Sequence, residues 1–451
     1  MTPPVTPPVG PRSLLRHPDF VKLWTAETVS VFGTQITLLA LPIVAATILN
    51  VSPFEFGLLA TIEFLPFILL SLPAGVWVDR LRRRPILIVG DLGRAICLLS
   101  IPIAFALDGL TIWQLYVVGF INGCLTVFFD VAYQSYLPSL VESDQLVEGN
   151  SKLEITRSAS QIAGPSLAGI LIGLLRAPFA ILIDAVSFLV SAAFVFWIRR
   201  PEPPIVPHNV ATGPKPSMRS EIVIGLRYTV GHRWLRSIAA TTGLSNLFFN
   251  LAGAILILFL VRDRAFTAEL IGFAFSIGSV GVLLAALVTT RLTNRLGVGR
   301  MLVLTSMGFS VSLLPVAMAP DALLFGAVAL SGFLGGFSGV AWNINQVSLR
   351  QAITPTRMQG KMNATMRFIV WGTIPVGAIT GGFLGGIIGL HNTIWVGAIG
   401  GLFAFIPVTL SSVREIVEMP MPAPDEPAGG PADAAAGDAA GDAAGDAAGD
   451  A

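Results

Sequence analysis

Several carboxylates lie inside long apolar stretches of this 451-residue sequence, and they are the side chains best placed for chemistry. A charged group in the middle of an apolar membrane helix costs about 3 kcal/mol, so each one needs a reason to be there. Proton binding neutralises a carboxylate and removes that cost, so such a group can act as a two-state switch. We predict Glu63 and Asp130, followed by Glu27, as proton-coupling residues. The other acids within apolar stretches are Asp91, Glu154 and Asp184.

Two of these acids have a basic residue three positions further on. Arg94 follows Asp91, and Arg157 follows Glu154. Residues three apart share one face of a helix, so we expect a structural ion pair at each place. The alternative for Asp130, in FFDVAYQSY, is a part in a charged gate rather than in proton transfer.

The second half of the sequence offers neutral amides and an aromatic side chain instead of acids. They are Asn246, Asn250, Asn343, Asn345 and Trp371. Such groups suit a large and mostly apolar ligand, so we predict that they line the substrate site. Polar contacts that hold membrane helices together are the equally open alternative.

The energy source is predicted to be a proton gradient, with no cofactor. The sequence has no P-loop, since the glycine-rich GFLGGFSG lacks a lysine and follows no strand. Cys97 and Cys124 lie in apolar stretches, and the histidines lie outside such stretches or at their edges. We therefore expect no metal site and no enzyme active site.

These residues need membrane helices to position them. The chain is 53% hydrophobic and 12% charged, whereas soluble domains are about 25% charged. Apolar blocks of roughly 20 to 28 residues match the thickness of a bilayer, and a helix satisfies its own backbone there. The predicted fold is all-α, with twelve transmembrane helices at Phe20–Leu49, Phe54–Val78, Ile86–Leu107, Leu110–Leu137, Leu153–Leu175, Ala177–Ile198, Leu235–Val261, Leu270–Leu292, Met301–Ala319, Ala322–Leu349, Met362–Leu390 and Thr393–Val413.

The sequence repeats itself after 215 residues, where WVDRLRRRP aligns with LTNRLGVGR. Asn294 and Arg295 thereby correspond to Asp79 and Arg80. A repeat of this length predicts two pseudo-symmetric six-helix bundles with a site between them. The predicted segments are a disordered N-terminus (1–18), the first half (19–198), a cytoplasmic linker with a short surface helix (199–234), the second half (235–415) and a disordered acidic Ala/Gly/Asp tail (416–451).

The basic residues predict the orientation in the membrane. Of 28 lysines and arginines, only Arg176, Arg262 and Arg264 fall in loops on one side. Positive loops stay in the cytoplasm, so an even number of spans places both termini there. The net charge of +1 gives no reason to expect a nucleic-acid partner.

The loop after the second predicted helix reads GVWVDRLRRRP. Gly75, Asp79, Arg80, Arg83 and Arg84 fit G-x-x-x-D-R-x-G-R-[RK], except that an arginine stands at the loop glycine. This resembles the loop signature of the major facilitator superfamily. The resemblance implies the twelve-helix fold of that superfamily and a cytoplasmic latch in this loop. We also expect Gly75 to allow close helix approach; the plainer alternative is a topology anchor.

A second motif, SQIAGPSLAG, lies in the fifth predicted helix. Gly164, Pro165 and Gly169 match the antiporter motif of the superfamily, G-x-x-x-G-P-x-x-G-G, with small residues at the remaining glycines. The resemblance implies a leak-tight helix between the halves, typical of exporters, whereas an ordinary proline kink is the alternative. LWTAETVSVFG and FFDVAYQSYLPSLV further resemble bacterial macrolide and enterobactin exporters.

The predicted function is export of amphipathic small molecules, such as antibiotics or secondary metabolites, by proton antiport with alternating access. The alternatives are a siderophore or dedicated metabolite exporter, an uptake symporter of the same fold, and a non-transporting receptor or scaffold. The predicted partners are a small-molecule substrate and the lipid bilayer, without nucleic acid. We expect a monomer that spans the inner membrane of a bacterium several times.

Overall fold

The computed structural model describes residues 14–142, 145–202 and 218–420, and these residues form helices joined by short turns. The first half contains α1 (Pro18–Ile43), its π-helical continuation (Val44–Ile48), α2 (Pro53–Asp79), α3 (Arg83–Ala106), α4 (Ile112–Leu140), α5 (Leu146–Leu175) and α6 (Ala177–Phe196). The linker contains α7 (Met218–Gly231). The second half contains α8 (Arg233–Arg262), α9 (Ala268–Leu296), α10 (Val298–Ser310), α11 (Leu314–Met318), α12 (Leu324–Ile353), α13 (Thr356–Ile388), α14 (Leu390–Gly401) and α15 (Ile406–Thr409).

Among the described residues, twelve segments are long and apolar enough to cross a membrane, which confirms the predicted number of spans. Ten of them are single helices, counting the π-helical end of α1 and the 3-10 turn before α12 (Asp321–Leu323) with those helices. The other two are helix pairs, α10 with α11 and α14 with α15. The chain is therefore a multi-pass membrane protein.

Proline explains why two spans are broken helices rather than the continuous ones expected from the sequence. Pro315 stands in the first turn of α11, and Pro407 stands in the first turn of α15. Proline has no N–H to continue the hydrogen bonds of a preceding helix, but it fits the start of a new one. The ninth and twelfth spans are therefore each divided into two helices before these residues.

The start of the fifth span was predicted seven residues too late. α5 begins at Leu146, because a polar turn precedes its apolar part. In that turn the Glu148 carboxylate accepts a 3.3 Å hydrogen bond from the backbone N–H of Leu14, whose side chain is buried. Residues 14–18 were predicted to be disordered, but they form a helical turn and the start of α1. Residues 1–13 and 421–451 lie outside the described residues, as does most of the linker before α7.

The two halves pack through crossed helix pairs. α2 packs on α13, and α5 packs on α9. The second span of each half therefore meets the fifth span of the other, which is the arrangement expected for a pseudo-two-fold axis. These four helices form the boundary along which any central site must lie.

The two ends of the helix bundle differ in charge. The basic end is where α2 meets α3, beside Arg80 and Arg84, and where α9 meets α10, beside Arg295. The opposite end is where α1 leads into α2 and α8 leads into α9. There the Ser52 hydroxyl and the Glu55 carboxylate bond each other's backbone N–H groups, in the capping arrangement that fixes the start of α2.

Candidate functional site

An ion pair between a buried carboxylate and a partly exposed arginine joins α1 to α5 in the first half. The Glu27 carboxylate lies 3.5 Å from the Arg157 guanidinium, and the Glu27 side chain is only 4% exposed. Asp130 of α4 is within electrostatic range of Arg157 and also of Arg94. Two of the three predicted proton-coupling residues, Glu27 and Asp130, are therefore brought into one charged cluster. We call Glu27, Asp91, Arg94, Asp130 and Arg157 the charged cluster.

Arg94 has a second set of contacts within the charged cluster. Its guanidinium lies 2.5 Å from Asp91 and is stacked between the rings of Phe129 and Phe188, each 4.1 Å away. The ion pair predicted between Asp91 and Arg94 is thus present. The stacking fixes the guanidinium plane, as expected for a cation between aromatic faces.

The other predicted ion pair, Glu154 with Arg157, is wrong. The Glu154 side chain is exposed, and Arg157 turns instead toward Glu27 on a different helix. Glu27 is buried and has more to gain from a counter-charge than an exposed carboxylate has. The three-residue spacing was therefore a poorer guide than burial.

Glu63 lies apart from the charged cluster, on α2 against α4. A Cβ atom built on Gly119 would lie 3.0 Å from the Glu63 Cγ atom, so the absence of a side chain at Gly119 makes room for Glu63. Its half-buried carboxylate has no ion pair or hydrogen bond with the described residues. Glu63 is thus a membrane carboxylate without a fixed partner.

Asp184 is a buried carboxylate that the predicted set of proton-coupling residues omitted. It is 1% exposed, and the hydroxyls of Thr37 and Ser187 donate hydrogen bonds to it. Gly33 of α1 provides the space, since a Cβ there would collide with Asp184 and Ser187. Its position at the start of a span was visible in the sequence, whereas its hydroxyl partner on α1 was not.

The arginine-rich loop is bound to the end of the first half. The backbone N–H groups of Arg83 and Arg84 donate hydrogen bonds of 2.8 and 2.7 Å to the Glu202 carboxylate. The Arg84 side chain donates to the carbonyl groups of Val195 and Phe196 at the end of α6. An anion at the start of α3 and a cation at the end of α6 both match the helix dipoles. Glu202 was missed because it lies in the proline-rich linker.

The remaining residues of this motif have fewer contacts. Arg80 is exposed at the end of α2, and the Asp79 side chain lies outside the described residues. The close helix approach expected at Gly75 is absent, because no heavy atom of the described structure lies within 4 Å of a Cβ built there. Gly75 therefore leaves open space at the basic end.

The corresponding loop of the second half, between α9 and α10, is bound in a similar way. Asn294 and Arg295 are exposed in the last turn of α9. The backbone N–H groups at the start of α10 donate to chain that follows the last helix, with Val298 bonded to the Val417 carbonyl and Gly299 to the Ile416 carbonyl. Each half thus binds its loop with the segment just beyond its final helix. Residues 416–420 were predicted to be disordered, yet this contact orders their start.

The motif of α5 packs directly on α9. A Cβ built on Gly169 would lie 2.5 Å from the Ala268 carbonyl oxygen, and one built on Gly272 would lie 2.2 Å from that of Pro165. The backbone N–H of Ser166 donates a 2.9 Å hydrogen bond to the Ser276 hydroxyl across the boundary. Gly164 faces α1 instead, at Gln35. The small residues therefore let the two halves touch through their backbones.

A matching glycine contact joins α2 to α13. A Cβ built on Gly57 would lie 2.8 Å from the Gly382 Cα atom. Both glycine contacts between the halves are nearer the opposite end than the basic end. Toward the basic end, Gly372 of α13 has no heavy atom of the described structure within 4 Å of a Cβ built on it. Among the described residues, the buried apolar cluster that includes both halves lies toward the opposite end, whereas the clusters toward the basic end each belong to one half. The two halves are therefore in contact at the opposite end and separated at the basic end.

A cavity of about 570 Å³ lies in the second half, between α8, α10, α12 and α13. Asn246, Asn343 and Trp371, three of the residues predicted to line a substrate site, line this cavity. Trp371 also marks the level at which the halves still meet, since its ring centroid is 6.2 Å from that of Phe64. The cavity therefore lies on the basic side of this aromatic contact.

Two of the predicted lining residues do not reach this cavity. Asn250 donates a 2.9 Å hydrogen bond to the Asn246 carbonyl and packs against α13. Asn345 is 2% exposed, accepts a 2.9 Å hydrogen bond from Thr293 and donates to the Ala341 carbonyl. Both are polar contacts within helix packing, which was the alternative interpretation.

Two arginines line the cavity, Arg350 just after the predicted tenth span and Arg367 near the start of the predicted eleventh, although neither was predicted to do so. Arg350 lies in the last turn of α12, and Arg367 lies in the first half of α13, which begins at Thr356. α12 and α13 are separated by only two residues, so the region between positions 350 and 367 is mostly helix. Helix continuation beyond the apolar run was the signal that could have shown this.

A second cavity, of about 590 Å³, opens in the first half beside α4 and α5. Tyr133, Asn150 and Arg157 are among its lining residues. Arg157 is also the partner of Glu27, so the charged cluster touches this space. Within the described residues, no group of three or more His, Cys, Asp or Glu side chains could hold a metal ion.

Comparison with known families identifies the family of this chain. A model of the transmembrane secretion effector family, a branch of the major facilitator superfamily, matches residues 9–430. The chain belongs to this family. The match covers both halves and the linker, so the family accounts for the duplicated fold as a whole.

Curated relatives of the family include transporters whose names state efflux. The chain is 26% identical to the multidrug efflux pump Tap of Mycolicibacterium fortuitum, over 84% of this chain and 91% of that protein. It is 23% identical to the enterobactin exporter EntS of Escherichia coli O127:H6, over 78% of this chain and 82% of that protein. It is 27% identical to the uncharacterized transporter YfiS of Bacillus subtilis, where the match spans 60% of this chain and 63% of the relative's length.

Solved structures share the fold at lower identity. A bacterial homologue of the iron transporter ferroportin in its inward-facing state is 19% identical, with a TM-score of 0.69 over 88% of this chain and 99% of that chain. The outward-facing state of such a homologue gives a TM-score of 0.55 at 18% identity, over 87% of this chain and 98% of that chain. These comparisons establish the fold.

Proposed function

We propose that this protein exports amphipathic small molecules in exchange for protons, by alternating access. The observation that carries the proposal is the pair of Glu27 with Arg157, of which Arg157 lines an open cavity in the first half. A carboxylate buried in a membrane protein has to bind either a counter-charge or a proton. Glu27 can therefore exchange one for the other.

The transport cycle starts from the conformation that is open at the basic end. In this proposal Glu27 is ionised and paired with Arg157, and the halves are separated at the basic end. The distribution of arginines supports a cytoplasmic position for that end. A higher TM-score to an inward-facing than to an outward-facing relative supports the same assignment. This is the state in which the proton has left and the substrate enters from the cytoplasm.

Proton binding to Glu27 in the outward-open state removes the partner of Arg157. Arg157 belongs to α5, the helix that also carries the glycine contact with α9. A change at one end of α5 can thus bias the contact at its other end, because a helix moves as a rigid element. One proton crossing 100 mV supplies about 2.3 kcal/mol, which supports a substrate gradient of roughly fortyfold.

The names of the relatives support export rather than uptake. Tap and EntS, which match most of this chain, are named as an efflux pump and an exporter. They differ in cargo, because one is named for many drugs and the other for a siderophore. A dedicated siderophore or metabolite exporter therefore remains the second candidate.

The test uses inside-out membrane vesicles that contain the full chain. The wild type should accumulate ethidium or erythromycin when the vesicles are energised, and a protonophore should abolish the accumulation. Glu27→Gln should retain less than a tenth of the rate, whereas Glu142→Gln, which removes an exposed carboxylate, should match the wild type.

Two outcomes would contradict parts of the proposal. Accumulation in right-side-out vesicles instead would show uptake by symport. Movement of none of the tested drugs, with proton release still triggered by a cell extract, would replace the multidrug class with a dedicated metabolite.

A further inference from the structure

The cavity of the second half contains two cations and no acid. Arg350 and Arg367 both line it, and its described lining includes no aspartate or glutamate. The described acids between the starts of α8 and α15 are Asp263, Glu269 and Asp321, and all lie near the opposite end. Further on, Glu415 and Glu418 are exposed and do not line the cavity, so no acid in the cavity wall neutralises its positive charge.

Arg350 is held in the cavity wall without a partner. Its Nε atom is buried and has no hydrogen bond, and its guanidinium forms no ion pair with any described residue. Burying an unpaired charged donor is unfavourable, and native proteins usually satisfy such groups. A ligand that brings an acceptor into the cavity would remove this deficit.

Arg367 is held in place by a ring. Its guanidinium carbon lies 5.0 Å from the centroid of Trp371, one turn further along α13. Stacking uses the face of the guanidinium and leaves the N–H groups at its edge free. Those edge groups are the ones that bind carboxylate, sulfonate or phosphate oxygens in pairs.

Beside the two arginines, the wall offers aromatic surface and one unsatisfied acceptor. Trp342 is fixed by a 3.1 Å hydrogen bond from its indole N–H to Thr242. Gln346, which is 5% exposed, donates to Asn343 but leaves its own carbonyl oxygen without a partner. A ligand with flat rings and a hydroxyl or N–H donor would complement both features.

We propose that the exported substrate is an organic anion, an aromatic compound whose acidic group binds Arg350 and Arg367. The inference rests on the proposed function and narrows its amphipathic class to anions. The same acidic chemistry could also be supplied by the phosphate of a lipid headgroup that enters from the bilayer. The experiment below separates the two sources.

Binding is measured on the purified full chain in lipid nanodiscs, without an ion gradient. The probes are 1-anilinonaphthalene-8-sulfonate and N-phenyl-1-naphthylamine, which share their rings and differ in the sulfonate. Arg350→Gln and Arg367→Gln should each weaken sulfonate binding at least tenfold, equivalent to about 1.4 kcal/mol, and leave binding of the neutral amine unchanged.

Two further variants control for charge and folding. Arg300→Gln removes an exposed arginine of the same half that does not line the cavity, so sulfonate binding should stay at the wild-type level. Arg350→Lys keeps the charge but loses the forked geometry, and should restore part of the affinity. Size-exclusion profiles identify any variant that fails to fold, in which case the lysine variant provides the comparison.

The proposal is overturned if both probes lose affinity equally in Arg350→Gln and Arg350→Lys, because the arginine would then only maintain the cavity. Sulfonate binding that is lost when phosphatidylglycerol replaces phosphatidylcholine would assign the site to a lipid headgroup. Failure of every compound in the vesicle assay would reject proton-driven export, yet would leave this measurement intact, because binding needs no gradient.

Discussion

The backbone N–H of Arg84 donates a 2.7 Å hydrogen bond to the carboxylate of Glu202, while the Arg84 side chain caps the end of α6. Residue 202 follows the last helix of the first half, so the bond ties the linker to the loop between α2 and α3. The arginine-rich loop is therefore anchored within its own half. Among its remaining arginines, Arg80 and Arg82 have exposed side chains and form no ion pair with the described residues.

Glu202→Gln should reduce stability, because it removes a negative charge from the start of α3. Loss of such a cap costs about 1 kcal/mol, and we expect a melting temperature lower by about 2 °C in detergent. Glu415→Gln is the matched control, since Glu415 is exposed and only 3.7 Å from an exposed Arg414. An equal shift in both variants would contradict the capping role.

Removing Arg157 should cost more than removing Arg157 and Glu27 together. Arg157→Gln leaves Glu27 buried without its partner, which we expect to cost about 2 kcal/mol, less than for a fully buried pair because Arg157 is partly exposed. The double variant Glu27→Gln/Arg157→Gln should recover part of the loss. A double-mutant cycle on thermal unfolding measures the coupling.

The control for that cycle is Lys152 with Glu148, a partly exposed pair 3.5 Å apart on one face of α5. Its coupling should be below about 0.5 kcal/mol. Additive effects of Glu27→Gln and Arg157→Gln would show that the two residues do not interact in the folded protein.

Gly169→Ala should open the opposite end. The added methyl group would lie 2.5 Å from the Ala268 carbonyl, so α5 and α9 would have to separate. A cysteine at position 276, in a background with Cys97→Ala and Cys124→Ala, should then react several-fold faster with a membrane-impermeant maleimide added outside. Gly386→Ala, where the space around the new atom is open, should leave the rate unchanged.

Substitution of Asn345 should lower stability, whereas substitution of Asn343 should weaken ligand binding. Asn345→Ala leaves Thr293 of α9 without its 2.9 Å acceptor and should cost about 1 to 3 kcal/mol of stability. Asn343→Ala, which changes a cavity-lining side chain, should weaken binding of the sulfonate probe with little change in melting temperature. The opposite pattern would place Asn345 in the binding site after all.

Transport of a monovalent anion should depend on the membrane potential twice as strongly as transport of a neutral compound. If both proposals hold, exchange of one proton for one monovalent anion moves two charges in the favourable direction, or about 4.6 kcal/mol per 100 mV. Proteoliposomes clamped with valinomycin and potassium should show this for the sulfonate probe. The neutral amine, if it is carried at all, should show half that dependence.

The sequence predicted the fold well because the signals that specify it are long. Twelve apolar stretches and a repeat after 215 residues leave little freedom in the choice of fold. Finer breaks were missed at Pro315 and Pro407, because other prolines, such as Pro66 and Pro73, lie inside a continuous helix. Whether proline breaks a membrane helix depends on the neighbours that satisfy the freed carbonyl groups.

The candidate site was harder to predict because its contacts join distant parts of the chain. Local spacing paired Arg157 with Glu154, whereas the structure pairs it with Glu27 on another helix. Asn343 and Asn345 are two residues apart and have the same side chain, yet only Asn343 faces the cavity. The packing of whole helices determines which side of α12 faces the cavity and which side faces α9.

The carbonyl groups of Ile416 and Val417 that bind the start of α10 have a practical consequence. Each half contains, in its own stretch of chain, both its arginine-bearing loop and the segment that fastens it. A break anywhere between positions 203 and 217 would separate neither fastening from its loop. The two halves could therefore be made as separate polypeptides from one operon and still meet in the membrane, whereas a truncation before residue 416 would release α10.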